Sequence, residues 1–321
     1  AFKDVLYWRE TVMLVGMLSA LLTAVMALVA NDLKRVLAYS TVSQLGYMVY
    51  AVGAGGIFAS QFHLLSHSVF KALLFLSAGA VIHSVGTRDM RGMGGLGAKM
   101  PVVRSMFVIG AAALAGLPIL NGFWSKELVL EAGLEGGPTW IYTIMLFGAG
   151  LTALYTFRCV WMVFYAPPSS QEEYHDAGRA MRVALYLLAF GTFTTWLLAG
   201  PFSHLLAETL PLYEIEPETT LEMMEMVLTA PATWLALGVV ALGLIAWWQR
   251  KKLEIITEPL QGVGELAERS FGFESINLGI VNTLLGWAEG VRGLQTGLLN
   301  WNILAIIVGL ITLFFIVALG A

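Results

Sequence analysis

Residues 58–84 read FASQFHLLSHSVFKALLFLSAGAVIHS. A helix needs about 20 mostly apolar residues to cross a bilayer, and this run is long enough. It also carries His63, His67 and Lys71 at spacings i, i+4 and i+8. At about 100° and 1.5 Å per residue the three form one polar stripe roughly 12 Å long, and His83 falls near its far end. A charge at the bilayer centre costs about 2.5–3.5 kcal/mol on insertion scales and is by default a functional hypothesis. Imidazole titrates near neutral pH. A stripe of groups that both accept and donate, bridged by water, is what a proton wire requires. His-x-x-x-His is also a metal pair, but no third His, Cys or carboxylate sits nearby on this helix and the lysine one turn on would repel a cation. Two histidines one turn apart cannot straddle a haem iron. Two histidines that merely pack would not need a buried ammonium beside them.

The composition agrees with a membrane setting. Of 321 residues 58% are hydrophobic, mean hydropathy is +0.75 and only 12% are charged, against roughly 25% in soluble domains. The net charge of −4 and the absence of a basic stripe exclude a nucleic-acid binder. The single cysteine, Cys159, excludes an intramolecular disulfide framework and a Cys-based zinc or iron–sulfur site. The first residues, Ala1-Phe2-Lys3-Asp4, show no signal peptide, and their lack of Met puts the expected start of the protein upstream.

Working outward, apolar segments predict eight helical spans near 11–30, 35–54, 58–84, 102–131, 139–165, 182–200, 230–249 and 301–320. The linkers on one face, with adjoining span ends, hold thirteen Lys/Arg, among them Lys34, Arg35, Arg88, Arg91, Arg250 and Lys252; the other face holds only Lys3 and Arg9. That face is acidic around Glu208, Glu214, Glu216, Glu218, Glu222 and Glu225. The asymmetry predicts a cytoplasmic basic face with both chain ends opposite. In the linker 250–300, Ile276, Ile280, Leu284 and Val291 recur at helical spacing while Glu274, Glu289 and Arg292 fall elsewhere on the wheel. That pattern predicts an amphipathic helix on the interface, on partner subunits or on the chain's own spans.

Three cations remain inside predicted spans: Lys71, Lys126 and Arg158. The fourth span carries Gly116-Leu117-Pro118 and Asn121-Gly122 ahead of Lys126-Glu127. Pro118 lacks an N–H and glycines unwind easily, so a broken helix is expected, and backbone freed at membrane depth must be buried in protein or line a wet cavity. The alternative is a proline kink with a snorkelling lysine. Neighbours in sequence point apart on a helix, so Lys126 and Glu127 each need a partner or a proton equilibrium of their own. Asp32 and Arg35 read as solvated interfacial charge, and Lys34 is ambiguous because a span starts at once. Arg158 reads as snorkelling, or as held by a structural partner.

The runs Asn31-Asp32-Leu33-Lys34-Arg35 through Tyr47-Met48, Phe62-His63 through Phe75, Asp89-Met90 through Leu96, and Gly122-Phe123-Trp124-Ser125-Lys126-Glu127 resemble the signature of the antiporter-like subunits of respiratory complex I (NADH:quinone oxidoreductase). The resemblance is to the C-terminal half of the distal L-type subunit. Large subunits of multisubunit cation/proton antiporters and the matching subunits of membrane-bound hydrogenases are related.

The resemblance implies a second five-helix antiporter-like unit over 1–165, with its broken helix at about 102–131. It implies two additional spans over 166–249, an amphipathic lateral helix region over 250–300 and a final span over 301–321. It implies that Lys71 with His63 and His67 lies on a central hydrophilic axis and that Lys126, followed by Glu127, serves proton release. It also implies flavin, iron–sulfur clusters and quinone in partner subunits, with none in this chain. The preceding five-helix unit is absent from the sequence, so another chain or upstream residues must supply it. A lateral helix of about 44 residues would reach roughly 66 Å.

The expectation is therefore an all-α, eight-span membrane protein with one broken helix and a cytoplasmic-face amphipathic helix. It would move protons along Lys34, Lys71, His67, His63 and water to Lys126 within an NADH:quinone oxidoreductase-type complex. Such a complex would sit in a bacterial or archaeal plasma membrane, among neighbouring antiporter-like subunits and lipids. The rivals are a sodium or potassium/proton antiporter subunit, a hydrogenase subunit and a structural scaffold.

Overall fold

A computed structural model describes residues 7–168, 174–210, 215–250, 252, 261–294 and 299–319. The helices are α1 (Trp8–Val29), α2 (Leu33–Ala54), α3 (Ile57–Val85), α4 (Leu96–Lys99), α5 (Pro101–Ala115), α6 (Asn121–Gly136), α7 (Thr139–Val160), α8 (Arg179–Thr194), α9 (Ala199–Thr209), α10 (Thr220–Thr229), α11 (Pro231–Trp248), α12 (Gln261–Glu268), α13 (Phe273–Leu294) and α14 (Leu299–Leu319). No β-strand occurs among the described residues; one isolated bridge joins Asp32 and Asp89. The chain forms two compact units, Ala1–Glu268 and Arg269–Ala321.

Five stretches are long and apolar enough to cross a membrane: Trp8–Val29, Ile57–Val85, Thr139–Tyr165, Arg179–Thr209 and Pro231–Trp248. Of the other three expected spans, two differ from plain apolar helices. The segment 35–54 is helical as α2 but too polar to count, because Ser40, Ser43 and Gln44 are buried at 0% exposure inside the bundle rather than facing lipid. The segment 102–131 is two shorter helices, α5 and α6. The last is apolar over Ile303–Leu319. In the linker 250–300, residues 251, 253–260 and 295–298 lie outside the described residues; α13 within it has 22 residues, about 33 Å of helix.

Hydrogen bonds between linkers fix which helix ends lie together. Leu33 N–H donates to the Arg88 carbonyl at 2.9 Å and Met90 N–H to the Asn31 carbonyl at 2.8 Å, stapling the α1–α2 linker to the segment after α3. Arg158, near the end of α7, donates to the Ala30 carbonyl (2.8 Å) and to Asn31 Oδ1 (2.6 Å) at the same end. Its partners are thus a carbonyl left over at the C-terminus of α1 and an amide oxygen. Asp32 caps α2 by accepting from Arg35 N–H at 3.0 Å and faces Arg88 at 3.4 Å. Asp89 pairs with Arg91 at 2.7 Å, and that guanidinium holds its carboxyl below the usual range. At the opposite end Arg9 donates to the carbonyls of Gly53, Ala54 and Gly136, closing the C-termini of α2 and α6 together.

Close packing of α1 on α2 holds the bundle's near side. A Cβ on Gly46 would lie 2.6 Å from the Ala20 nitrogen and 2.6 Å from the Gly16 carbonyl oxygen. Small residues at such crossings let backbones approach, which is how membrane helices gain packing energy without a hydrophobic drive. Gly79 on α3 has nothing within 4 Å of the equivalent position. Gly46→Val should therefore lower the thermal midpoint in detergent, by about 1–3 kcal/mol of overpacking, while Gly79→Val should leave it close to the parent. Equal midpoints in the two variants would contradict this packing.

Candidate functional site

Lys71, His67 and His63 follow one another down α3, and all three are buried. Lys71 Nζ donates to the Leu37 carbonyl at 2.9 Å and to Ser40 Oγ at 2.5 Å, both on α2. The His67 ring stands edge-on to Phe70, 5.2 Å between centroids, and 6.1 Å from the His63 ring. His63 Nδ1 lies 2.9 Å from Ser125 Oγ on α6, and its Nε2 lies 3.0 Å from Gln44 Oε1 on α2. The stripe thus faces the seam between α2 and α6.

The helix break brings α6 into that seam. α5 stops at Ala115; Gly116 takes φ +82 and Ile119 φ +79, and α6 begins at Asn121. Gly116 supplies the left-handed conformation that lets a helix end, and Pro118 cannot donate to continue it. Gly122 sits directly on the Ala113 carbonyl, where a Cβ would collide, so the two half-helices cross at backbone contact. Asn121 Nδ2 donates to the Ser66 carbonyl at 3.1 Å and ties the start of α6 to α3. Ser125 Oγ lies 2.9 Å from the Asn121 carbonyl.

Lys126 is 2% exposed, and its Nζ lies 5.4 Å above the Tyr47 ring with no hydrogen-bond partner in the protein. Glu127 is equally buried and its Oε2 is also unpartnered. Among the described residues no carboxylate lies within 4.0 Å of Lys71 or Lys126. His67 Nε2, Ser66 Oγ and Asn121 Oδ1 likewise lack protein partners. Leaving such an atom unbonded costs about 1–3 kcal/mol each, and water is the partner that buried polar seams recruit.

Sequence reasoning missed several contributors. Gln44 and Ser125 looked like ordinary polar residues of a span, and only the fold shows them bracketing His63. Glu131 and Glu135 continue from the expected Glu127 at every fourth residue on α6, the same signal that singles out the α3 stripe. Glu127 is buried, Glu131 half-buried and Glu135 exposed. The last two line a cavity of about 500 Å³ with Glu216 and Glu218, at the Arg9 end of the bundle. Burial and the neighbouring Glu222 and Glu216 push the Glu218 carboxyl up.

Other expected members lie elsewhere. Lys34 is exposed in the first turn of α2 and is not part of the buried row, because its position on the wheel points away from the side that Leu33, Val36 and Leu37 bury. His83 is exposed near the end of α3. Asp32 and Arg158 serve the linker staple described above. A second polar cavity, about 420 Å³, opens at the stapled end and is lined by Asp32, Arg35, Asp89, Arg91 and Glu268. Leu33, Val36, Leu37 and Leu74 are buried in one apolar cluster, and a small cavity of about 10 Å³ touches Val36, Leu37 and Leu74 together with Ser40, Tyr155 and Thr156.

Residues 2–152 match the family model described as NADH:quinone oxidoreductase/Mrp antiporter, TM. It is 43% identical over 200 residues to F(420)H(2) dehydrogenase subunit L of Methanosarcina mazei, which covers 56% of this chain and 30% of that protein. It is 43% identical over 189 residues to NADH-ubiquinone oxidoreductase chain 5 of Marchantia polymorpha, covering 56% of this chain and 28% of that one. Among solved structures, the Mrp complex from a Dietzia species aligns with a TM-score of 0.71 at 25% identity, over all of this chain and 35% of the matched chain. The matches thus span about a third or less of these relatives' lengths. They bear out the resemblance to L-type subunits and to the Mrp antiporter. A membrane family and these apolar helices make the chain an integral membrane protein.

If the α6 face is wet, cysteines placed there will ionise and react. In a Cys159→Ser background, Glu135→Cys and Glu131→Cys should react with a small water-soluble thiol reagent, Glu131→Cys more slowly. Val129→Cys, at a 0% exposed core position, should not react until the protein is denatured. Equal labelling at positions 129 and 131 would contradict a hydrated face.

Proposed function

We propose that this chain is a proton-translocating subunit of a redox-driven membrane complex, of the NADH:quinone oxidoreductase type. The observation that carries the proposal is the buried row itself. Two buried ammonium groups, Lys71 and Lys126, have no carboxylate within ion-pair distance among the described residues, and His67, His63 and Ser125 are buried on the same two helices, with water bridging the gaps in this reading. A purely structural lysine would be paired. One held by neutral groups is poised to lose its proton when a nearby charge changes.

In this reading a proton reaching Lys71 passes through His67, His63 and bridging water to Lys126. Glu127, Glu131 and Glu135 then lead it towards the acidic cavity at the Arg9 end. Lys34 works at the surface of the other end rather than inside the row. Charge changes driven from a distant redox site in partner chains, which would carry flavin, iron–sulfur clusters and quinone, set the order of transfers. We take eight crossings, a cytoplasmic basic end and a surface-lying α13 as the membrane arrangement. A neighbouring chain or upstream residues would supply the other half of the path.

The test is coupled transport by the assembled complex in proteoliposomes. Lys71→Ala and Lys126→Ala should each lower donor-driven proton uptake on the order of tenfold, about 1.4 kcal/mol at the barrier, with insertion and assembly intact. Parental uptake in both variants would overturn the proposal. A second reading is favoured by the fit of the whole chain to the Dietzia Mrp complex. In it the same row exchanges protons for sodium or potassium. Proton movement that follows a cation gradient and ignores the electron donor would select that reading.

A further inference from the structure

His63 is held from both sides by neutral groups that can each reverse their role. Its Nδ1 meets Ser125 Oγ and its Nε2 meets the Gln44 side-chain amide; all three residues are fully or almost fully buried. The Ser125 hydroxyl has a second acceptor in reach, the Asn121 carbonyl at 2.9 Å. The Gln44 Nε2 has no other partner. An amide presents an acceptor and a donor of nearly equal size, so half a turn of Gln44 exchanges the oxygen for the NH2.

Three bonding patterns follow, each complete at both ring nitrogens. With a proton on Nε2 only, that N–H donates to Gln44 Oε1, and Ser125 donates to Nδ1. With protons on both nitrogens, Nε2–H still donates to Gln44 Oε1, Nδ1–H donates to Ser125 Oγ, and the hydroxyl turns to Asn121. With a proton on Nδ1 only, the Gln44 amide turns over and its NH2 donates to Nε2. One proton enters on Nδ1 and one leaves from Nε2, or the reverse, and no ring nitrogen is left unbonded in either neutral form or in the cation.

The geometry points to Gln44, with Ser125, as the positioning pair that lets His63 take up and release a proton without losing a hydrogen bond. This inference rests on the proton-translocation reading and adds to it a residue on α2 that carries no charge. The charged or titratable groups facing His63 are His67 on its own helix and Lys126 on α6; α2 presents only the neutral amide. Gln44 is therefore the one contact on that side through which the imidazolium can be favoured or disfavoured.

The experiment is an infrared pH titration of histidine-labelled complex, with the spectrum of a His63→Gln complex subtracted so that the difference reports His63. In Gln44→Glu, a fixed acceptor replaces the reversible amide, and the imidazolium signal should persist about one pH unit or more above its parental midpoint. In Gln44→Leu, the Nε2–H of the cation has no acceptor, and the signal should appear only at lower pH than in the parent. Ser125→Ala should move the midpoint in the same direction as Gln44→Leu, and covers the case in which a position-44 variant fails to assemble. Midpoints unchanged in every variant that assembles would overturn the inference. Proteoliposome transport measured on the same parent complex separates the two claims. Shifted midpoints in a complex that moves no protons would leave the His63 pairing standing and remove the transport reading.

Discussion

Two ammonium groups are held inside a bilayer-sized helical bundle without a salt bridge to either, and the architecture around them follows from that constraint. An unpaired charge at this depth costs several kcal/mol, so the surroundings must supply oxygen atoms and water. Lys71 obtains a backbone carbonyl and a serine from α2. Ser40, Ser43 and Gln44 make one side of α2 polar, and that side is buried while Val42, Leu45 and Val49 of the same helix stay exposed. The buried side packs on α1, α3, α6 and α7.

The helix break answers the same need at Lys126. An unbroken helix through residues 101–136 would carry its carbonyls bonded within itself. Interrupting it at Gly116–Leu120 lets α6 start inside the bundle, with Asn121 reaching α3 and Ser125 reaching His63. The contact between Gly122 and the Ala113 carbonyl keeps the two halves crossed. From there α6 carries its acidic stripe to the end where Arg9 closes the carbonyls of α2 and α6. The other polar cavity lies at the stapled end. Acidic side chains thus line a cavity at the Arg9 end, while Leu33, Val36 and Leu37 belong to a buried apolar cluster.

Much of this was legible in the sequence because membrane helices announce themselves by composition, and buried cations stand out against it. His63, His67 and Lys71 could be placed on one face by spacing alone, and the Gly-Leu-Pro run marks an interruption. Lys34 lies outside the buried row; proximity to Val36-Leu37 in sequence says nothing about which side of α2 is buried. Gln44 and Ser125 were invisible because their importance is tertiary: each is ordinary within its own helix and meets His63 only after three helices pack. Glu131 and Glu135 carried a readable period of four, but near a span end acidic residues look like solvated caps. The linker 250–300 shows the limit of periodicity, since an apolar stripe fits lipid, partner or self equally well.

The account turns on whether electron transfer itself drives protons through this row. The most direct measurement is lumen pH in proteoliposomes holding the complex purified through this chain, in sodium- and potassium-free buffer, on addition of its electron donor. The account predicts acidification that begins with electron transfer and stops when the donor is exhausted. Acidification that appears only with an imposed sodium or potassium gradient, and is indifferent to the donor, would contradict it.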